Sequence, residues 1–293
     1  VILAARIRER LGLPGLTVQQ TLPFRDKELM KRVLDGAGIR TPHHYSATTV
    51  AGVVEGAETI GYPVIVKPIA GAGSESTYKV HDRRELDAIL PSLRNVAEVS
   101  VEEFVQGDDM TFDTLCVDGR VQHYSMSTYI PRALFMKENE WVSPITLVYR
   151  DPDVPELESG RKMGFQVIRA LGFQTGYTHM EWYRTPSGEA VFGEIGARSP
   201  GAGLVDLINY AADIDTYTGW AECVVHGRFT QRVERKYSAA WIYKRAQGQG
   251  RIQRYEGLES LLSELGSWIV DIDLNPIGSP RKDWRKVLGG DGL

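Results

Sequence analysis

With 293 residues, 42% of them hydrophobic and 25% charged, the chain has the length and apolar content for two or three lobes, each with its own core. A net charge of −4 points to neither nucleic acid nor a membrane surface as partner, and no apolar run approaches the length of a bilayer span. Two cysteines, Cys116 and Cys223, exclude a disulfide framework and lack metal-ligand spacing, so a reducing cytoplasm is expected.

The chain opens on Val1 in a helical pattern, "VILAARIRERLGLPG", without a signal peptide, and closes on "VLGGDGL"; both ends predict missing flanking sequence. "FRDKELMKRVLDGAGIRTP" reads as a helix with Leu29, Val33, Leu34 and Ala37 on one face, closed by glycines and stopped by Pro42. A short strand in "HYSATT" and a helix in "AGVVEGAETIG" precede "YPVIVKPIAGAGSES", an apolar strand running into a glycine-rich loop. Asp82 stands three residues before Glu85, a capping-box arrangement that starts a helix in "DRRELDAILPSLRN". "EVSVEEFVQG" reads as a strand, and "MTFDTLCV" and "RVQHYSMSTYI" form a hairpin around the turn Asp118-Gly119. A helix in "LESGRKMGFQVIRALGF", a second hairpin and one further helix in "DLINYAADIDTYTGWAECVVHG" follow. The tail mixes strands with the helix "LESLLSEL". Strands, hairpins and helices intermingle without strict βαβ alternation, which predicts α+β lobes.

The second hairpin, "HMEWYRTPSGEAVFGEIGARSPG", sets two acids, Glu181 and Glu194, among residues that otherwise read as buried strand. With Ser187-Gly188 as a two-residue turn, Pro186 pairs with Glu189, and the same register brings Glu181 opposite Glu194 on one face. A loop longer by two residues keeps that face, whereas a slip of one separates the acids. Like charges across a ladder repel by roughly 4 kcal/mol at about 4 Å in a medium of effective dielectric near 20, and a divalent cation between them reverses the sign. Few, hard oxygen ligands suit Mg²⁺ held jointly with substrate phosphates. The alternative is a solvent-facing edge where both acids are hydrated.

Lys67 ends the apolar strand "PVIVKP" and is desolvated unless an anion meets it, although a snorkelling strand-end lysine fits equally. The following "GAGSES" offers backbone N–H groups to a phosphate, but it lacks both the Gly-Lys-Ser/Thr of a Walker loop and the third glycine of a dinucleotide fingerprint. "VEEFVQGDD" suits either a nucleobase-binding strand end, with Asp109 reaching a ribose hydroxyl, or an ordinary edge strand. Asp113 and Tyr124 face each other across the first hairpin and are expected to line an acceptor pocket. His179 is expected as a packed strand residue and Cys223 as core.

In order and spacing these features resemble the ATP-grasp superfamily, from Arg25 to about Gly227. The resemblance implies an ATP-grasp fold of two α+β lobes clasping a nucleotide, with a mostly β C-terminal extension and an N-terminal lobe that is largely missing. It divides the chain into a remnant of that lobe (1–24), a small lobe with the glycine-rich loop (25–100), a large lobe with the acidic hairpin (101–236) and the extension (237–293). It implies that Lys27 and Lys67 contact phosphates, that Gly71, Gly73 and Ser74 belong to a loop closing over them, and that Glu102, Glu103, Phe104 and Val105 form the adenine hinge. Asp109 falls where the ribose-binding acid stands, Glu181 and Glu194 match the two magnesium-binding glutamates, and Arg198 matches the arginine that neutralises acyl charge. Lys67 and Arg198 are the catalytic candidates.

The family often carries asparagine where Gly196 stands here; a small residue there, in "EIGARSPG", looks closer to the L-amino-acid ligases than to the biotin carboxylases. The resemblance thus implies a cytoplasmic, ADP-forming carboxylate–amine ligase that uses ATP with Mg²⁺ or Mn²⁺, acts through an acyl phosphate and joins small-molecule acid and amine substrates. It implies no nucleic-acid or membrane partner, and a homodimer is one form it allows. Another chemistry of the superfamily, carboxyphosphate-forming or purine-pathway, and a non-catalytic nucleotide-binding protein are the alternatives.

Overall fold

The computed structural model describes residues 1–69, 77–284 and 291–292. In chain order the helices and strands are α1 (Ile2–Leu11), α2 (Val18–Thr21), α3 (Lys27–Gly36), β1 (His44–Ala47), α4 (Val50–Ile60), β2 (Val64–Pro68), β3 (Tyr78–Val80), α5 (Arg83–Ile89), β4 (Val99–Glu103) and β5 (Asp108–Val117). There follow β6 (Arg120–Ile130), α6 (Ala133–Glu138), β7 (Ile145–Val148), α7 (Glu158–Ala170), β8 (Gly176–Arg184), β9 (Ala190–Gly196), α8 (Leu204–Ala212), α9 (Thr216–His226), β10 (Ala239–Ile242) and α10 (Leu258–Leu265). No helix among the described residues is long and apolar enough to cross a membrane.

Two compact units share the chain. The first comprises Val1–Met126, Pro152–Pro200 and Asp215–Gln231; the second comprises Ser127–Asp151, Gly201–Ile214 and Arg232–Leu293. The first unit holds a four-stranded antiparallel sheet of order β1-β4-β2-β3. Alternation along its strands sends Val64, Val66, Val99 and Val101 into a core with Val53 and Ala57 of α4 and Leu86 of α5. The opposite face carries Lys67 directly across from Ser100, and Ile65 across from Glu102. This polar stripe lies under α3.

The sequence places Leu29, Val33, Leu34 and Ala37 on the inner face of α3, but the buried residues are Met30, Lys31 and Leu34. The helix is rotated because Lys31 has an anionic partner, Glu102, on β4, which an apolar pattern does not reveal. Asp26 caps the helix, accepting from the N–H groups of Glu28 and Leu29 at 3.0 and 2.9 Å, so Lys27 sits at its first turn.

Also in the first unit, β5 pairs with β8 and β8 with β9. One face of these strands packs on α7. Gly160 and Gly164, one helical turn apart, let the helix approach the sheet: a Cβ would fall 2.1 Å from the Trp182 ring and 2.5 Å from Phe112. The other face is covered at one end by α9, where buried Cys223 joins Leu115, Val117 and Tyr177. Cys223 is therefore core, and burial pushes its thiol up to about 11. Toward the far end of β8 the same face turns polar. Tyr124 belongs to the α7 side: its ring lies against Phe112 and Phe165 and its hydroxyl on Asp153, whereas Asp113 binds His179. The expected Asp113–Tyr124 pocket wall is thus not formed, since neighbouring strand positions 112 and 113 point to opposite faces.

Glu181 does pair with Glu194, but by a different route from the one the turn predicts. The turn has three residues, Pro186 to Gly188, closed by the Thr185 N–H donating to Glu189 O at 3.0 Å, with Gly188 left-handed at φ 83°. Arg184 therefore faces Ala190 and Trp182 faces Phe192, a register that alone would carry Glu194 past Glu181. A bulge between Glu181 and Trp182 inserts Gly193 and restores the pairing. It turns Phe192 into the α7 core while Glu194 faces the other way. Glycine is needed here because a Cβ on residue 193 would come 2.8 Å from Glu181 O. Gly193→Val is expected to cost about 1–3 kcal/mol, as overpacked sites do, measured by urea unfolding.

In the second unit β7 pairs with the end of β6 and with β10. There α8 packs Leu204, Leu207, Ile208 and Ala211 on Val148, and the Trp241 indole donates to Gly203 O at 2.9 Å. The sequence reads α8 and α9 as one helix. Asp213 breaks it with a left-handed φ of 54°, and Asp215 starts the next by accepting from the N–H groups of Tyr217 and Thr218. Beyond β10 the second unit adds α10 and isolated bridges such as Arg251 to Pro280.

Candidate active site

Five charged side chains from separate elements of the first unit meet on the polar faces of its two sheets. Lys27, from the first turn of α3, places Nζ 2.6 Å from Glu194 Oε2. Lys67, from the end of β2, places Nζ 2.7 Å from Glu102 Oε2 and lies within the electrostatic reach of Glu194 and Glu181. Burial lowers the Lys67 pKa, but the Glu102 carboxylate and the two hairpin glutamates outweigh it, so the ammonium stays charged. Arg198, just past β9, and Lys27 both act on Glu181. Burial would raise the Glu181 pKa; the contact with His179 and these two cations hold it below the usual carboxylate range instead. Arg198 also donates to Ser199 O at 2.8 Å.

Gly196 leaves room for this arginine: a Cβ there would sit 3.2 Å from Arg198 Cγ. Lys27, Lys67, Glu181, Glu194 and Arg198 are thus brought together. Gly71, Gly73 and Ser74 lie outside the described residues.

The hinge residues sit differently. Glu102 is 5% exposed and binds two cations, Lys67 and the 2%-exposed Lys31; Ser100 also donates to it at 2.9 Å. Burial pushes its pKa up, and the two lysines pull it far below the ordinary value. Its side chain is therefore the buried counter-ion beneath Lys67, turned away from any ligand at the strand end. Glu103 is held by Arg40, whose Nη2 lies 2.9 and 2.8 Å from its two oxygens, and by the His43 N–H at 3.1 Å. The N–H groups of Glu103 and Phe104 donate to His43 O and Pro63 O, so a base bound there cannot be read by those two donors. Phe104 carries the Lys79 ammonium 3.9 Å from its ring centroid, Val105 is buried, and Asp109 lies opposite Tyr183 at the start of β5.

Arg40 also joins the two sheets. Its carbonyl accepts from the Phe192 N–H at 2.8 Å, and its Nε lies 3.8 Å from Glu189 in the hairpin turn. The strand end that carries Glu103 and the hairpin that carries the paired acids therefore share one anchor.

Sequence reasoning missed two groups here. Lys31 was hidden inside an ordinary amphipathic helix pattern, although the spacing of Lys27 and Lys31, one helical turn apart, was a usable signal. His179, expected as a packed strand residue, is 5% exposed, and it has two anionic neighbours: Asp113 Oδ1 at 2.7 Å and Glu181 Oε1 at 3.5 Å. Burial lowers its pKa, and Asp113 and Glu181 overcome that to raise it to about 10.

A third histidine contact fixes α3. His44 of β1 places Nδ1 3.1 Å from Glu28 and Nε2 3.0 Å from Asp35, two acids of the same helix. Two acceptors require both ring nitrogens to donate, hence an imidazolium. Its pKa is raised chiefly by the Glu28 bond, against burial and the Lys31 charge and with help from Asp35. A raised folded-state value means stability that is complete below the unfolded pKa of about 6.5 and lost as pH rises through the folded value. The melting temperature of the wild type is thus expected to fall more between pH 6 and pH 9 than that of His44→Gln (pH range about two to three units around the reference value), followed by differential scanning calorimetry.

The donor set suits a divalent cation of the magnesium type held in part by a ligand. Two hairpin carboxylates stand opposite each other, and among the described residues no group of three or more His, Cys, Asp or Glu is placed to form a closed protein cage.

Known proteins resemble this chain in sequence and in fold. An ATP-grasp domain family matches residues 24–138. The L-arginine-specific L-amino acid ligase of Bacillus subtilis is 26% identical over 219 residues, 72% of this chain and 52% of that protein. The chain spans about half the length of the curated relatives it matches first. Among solved structures, an L-amino acid ligase from Bacillus licheniformis superposes with a TM-score of 0.75 at 20% identity, over 100% of this chain and 71% of that one. An N5-carboxyaminoimidazole synthase from Aspergillus clavatus, in complex with ADP and an aminoimidazole ribonucleotide, gives 0.71 at 12% identity over 96% and 72%. The ATP-grasp domain match takes in the segment that carries both lysines, and the likeness to these solved structures gives the chain an ATP-grasp fold.

Proposed function

We propose that this chain carries the nucleotide site and the reaction centre of an ATP-dependent, ADP-forming carboxylate–amine ligase of the amino-acid ligase type. The observation that carries the reading is the convergence of Lys27, Lys67 and Arg198 on the paired acids Glu181 and Glu194. Three cations from α3, β2 and the end of β9 around a two-carboxylate site suit one kind of ligand: a polyphosphate that arrives with a divalent cation. Mg²⁺ held by Glu181 and Glu194 would supply charge neutralisation at the phosphates.

The chain's own groups do the rest. Lys67, fixed from below by Glu102, holds a phosphate oxygen where it cannot swing away. Lys27, released from Glu194, binds a second. Phosphoryl transfer depends on such positioning and neutralisation more than on covalent help. The substrate carboxylate attacks the γ-phosphorus, the bond to the bridging oxygen breaks, and ADP leaves with that electron pair. The acyl phosphate is then attacked by an amine; Arg198 stabilises the oxyanion of the adduct, phosphate departs, and the amine proton passes to solvent or base. A guanidinium already held in place stabilises that charge without reorganisation. The strand end beyond Glu103, at Val105, with Asp109, holds the nucleoside.

The test is ATP-dependent trapping with hydroxylamine across a panel of amino acids. A stable hydroxamate formed together with ADP, for one or a few of them, is expected. ADP release that requires bicarbonate and yields no hydroxamate would instead mark a carboxyphosphate-forming chemistry, and no ADP release with any acid would refute the ligase reading.

A further inference from the structure

Beside the paired acids lies a buried Asp–His pair to which the reaction above gives no task. Three strands set the polar face as a small grid. Thr111, Glu181 and Glu194 form one row across β5, β8 and β9, and Asp113, His179 and Gly196 form the next. Asp113 and His179 are 1% and 5% exposed. Thr111 Oγ1 donates to Asp113 Oδ2 at 2.7 Å, and Asp113 Oδ1 meets His179 Nδ1 at 2.7 Å. The other ring nitrogen lies 3.5 Å from Glu181 Oε1. Thr111, Asp113, His179 and Glu181 thus form one continuous chain of contacts that ends on an acid of the site.

Packing alone is a poor reason for this arrangement. A buried ionic pair is often no more stabilising than apolar residues of equal volume, because desolvation offsets the attraction. The pair does supply direction. Asp113, anchored by Thr111, can hold the ring in only one orientation, and the ring then presents Nε2 to one oxygen of Glu181. Gly196 stands opposite His179 on β9, so that strand places no side chain over the ring. Glu181 needs such a hold more than Glu194, which has the Lys27 ammonium at 2.6 Å. Without a fixed partner, repulsion from Glu194 would turn the Glu181 carboxylate away from the space between them.

We propose that Asp113 and His179 are positioning residues for Glu181, fixing its carboxylate in the rotamer that receives a divalent cation. Neither touches the nucleotide. The inference rests on the reading of Glu181 as a cation ligand. Partners of this kind, bonded to a metal's own ligands, change metal affinity by about 10–100-fold when lost.

Mn²⁺ binding in the presence of ADP, counted by electron paramagnetic resonance, separates the possibilities, with metal-free ADP affinity measured by calorimetry beside it. In both His179→Gln and Asp113→Asn, Mn²⁺ affinity is expected to fall about 10–100-fold while metal-free ADP affinity stays within about 3-fold, the context scatter of single contacts. A purely structural pair would lower both affinities together and overturn the proposal. Failure of both variants to fold would do the same. If Glu181→Gln weakens Mn²⁺ binding and the two pair variants do not, the positioning role is refuted and the cation reading of Glu181 stands. Mn²⁺ binding indifferent to Glu181→Gln refutes that reading, and the pair's role with it.

Discussion

Glu194→Gln is expected to lower ATP turnover by about 10³-fold or more, equivalent to roughly 4 kcal/mol of transition-state stabilisation, with the protein still folded. The amide keeps the size of the carboxylate and one oxygen, so β9, its bulge and its pairing with β8 survive. What disappears is one of the two carboxylates proposed to hold the cation, in a site where no group of three or more His, Cys, Asp or Glu among the described residues is placed to hold a metal. Lys27 loses its partner at 2.6 Å, but its side chain is 22% exposed and that of Glu194 41%, so the folded state loses on the order of 1 kcal/mol or less. A coupled assay for ADP release, with thermal unfolding beside it, checks the split between activity and stability. Turnover within about 10-fold of wild type, the low end expected for groups that merely orient a metal ligand, would remove Glu194 from the cation site.

Lys31→Met is expected to cost about 3–5 kcal/mol of stability, the usual penalty for removing one partner of a buried ion pair. Glu102 would keep only Lys67 and would have to share it with any incoming phosphate. Nucleotide affinity should therefore fall together with the melting temperature, although Lys31 itself is 2% exposed and beyond a ligand's reach. The double variant Lys31→Met with Glu102→Gln should recover only part of the stability, since residue 102 no longer carries an undercompensated charge but Lys67 loses its carboxylate and keeps only the hairpin glutamates. Urea unfolding of the three proteins measures this. A Lys31→Met variant as stable as wild type would show that Lys67 alone compensates Glu102.

Much of this architecture was legible in the sequence because its signals were local. The apolar strands in "PVIV" and "VSV", the Asp118-Gly119 turn and the cap at Asp82 each act within a few residues. The acidic hairpin shows the limit of such signals. Its turn is one residue longer than a Ser-Gly turn implies, and the strand corrects that length with a bulge at Gly193. A glycine inside a strand was the available cue, and it marks close backbone approach as well as a bulge. The break between α8 and α9 was equally local, an Asp213 in left-handed geometry, but its sequence "ADIDT" keeps enough helical pattern to mask it.

Lys31 and His179 were illegible for a different reason. Each is polar at a position that period reads as interior, and what justifies it lies far along the chain: Glu102, 71 residues from Lys31, and Asp113, 66 from His179. Charge compensation of that kind exists only after folding, so a single sequence offers nothing to pair. The hinge illustrates the converse. Its acids invite a ligand-binding reading, yet Glu102 and Glu103 are spent on lysines and on Arg40.

Crystals grown with Mn²⁺ and a non-hydrolysable ATP analogue test the central claim most directly, through the anomalous signal of the metal. The account predicts a manganese peak between the carboxylates of Glu181 and Glu194, at about 2.0–2.2 Å from their oxygens, with phosphate oxygens completing its shell and the ammonium groups of Lys27 and Lys67 on the phosphates. Metal bound elsewhere, or a nucleotide whose phosphates lie away from both lysines, would contradict it.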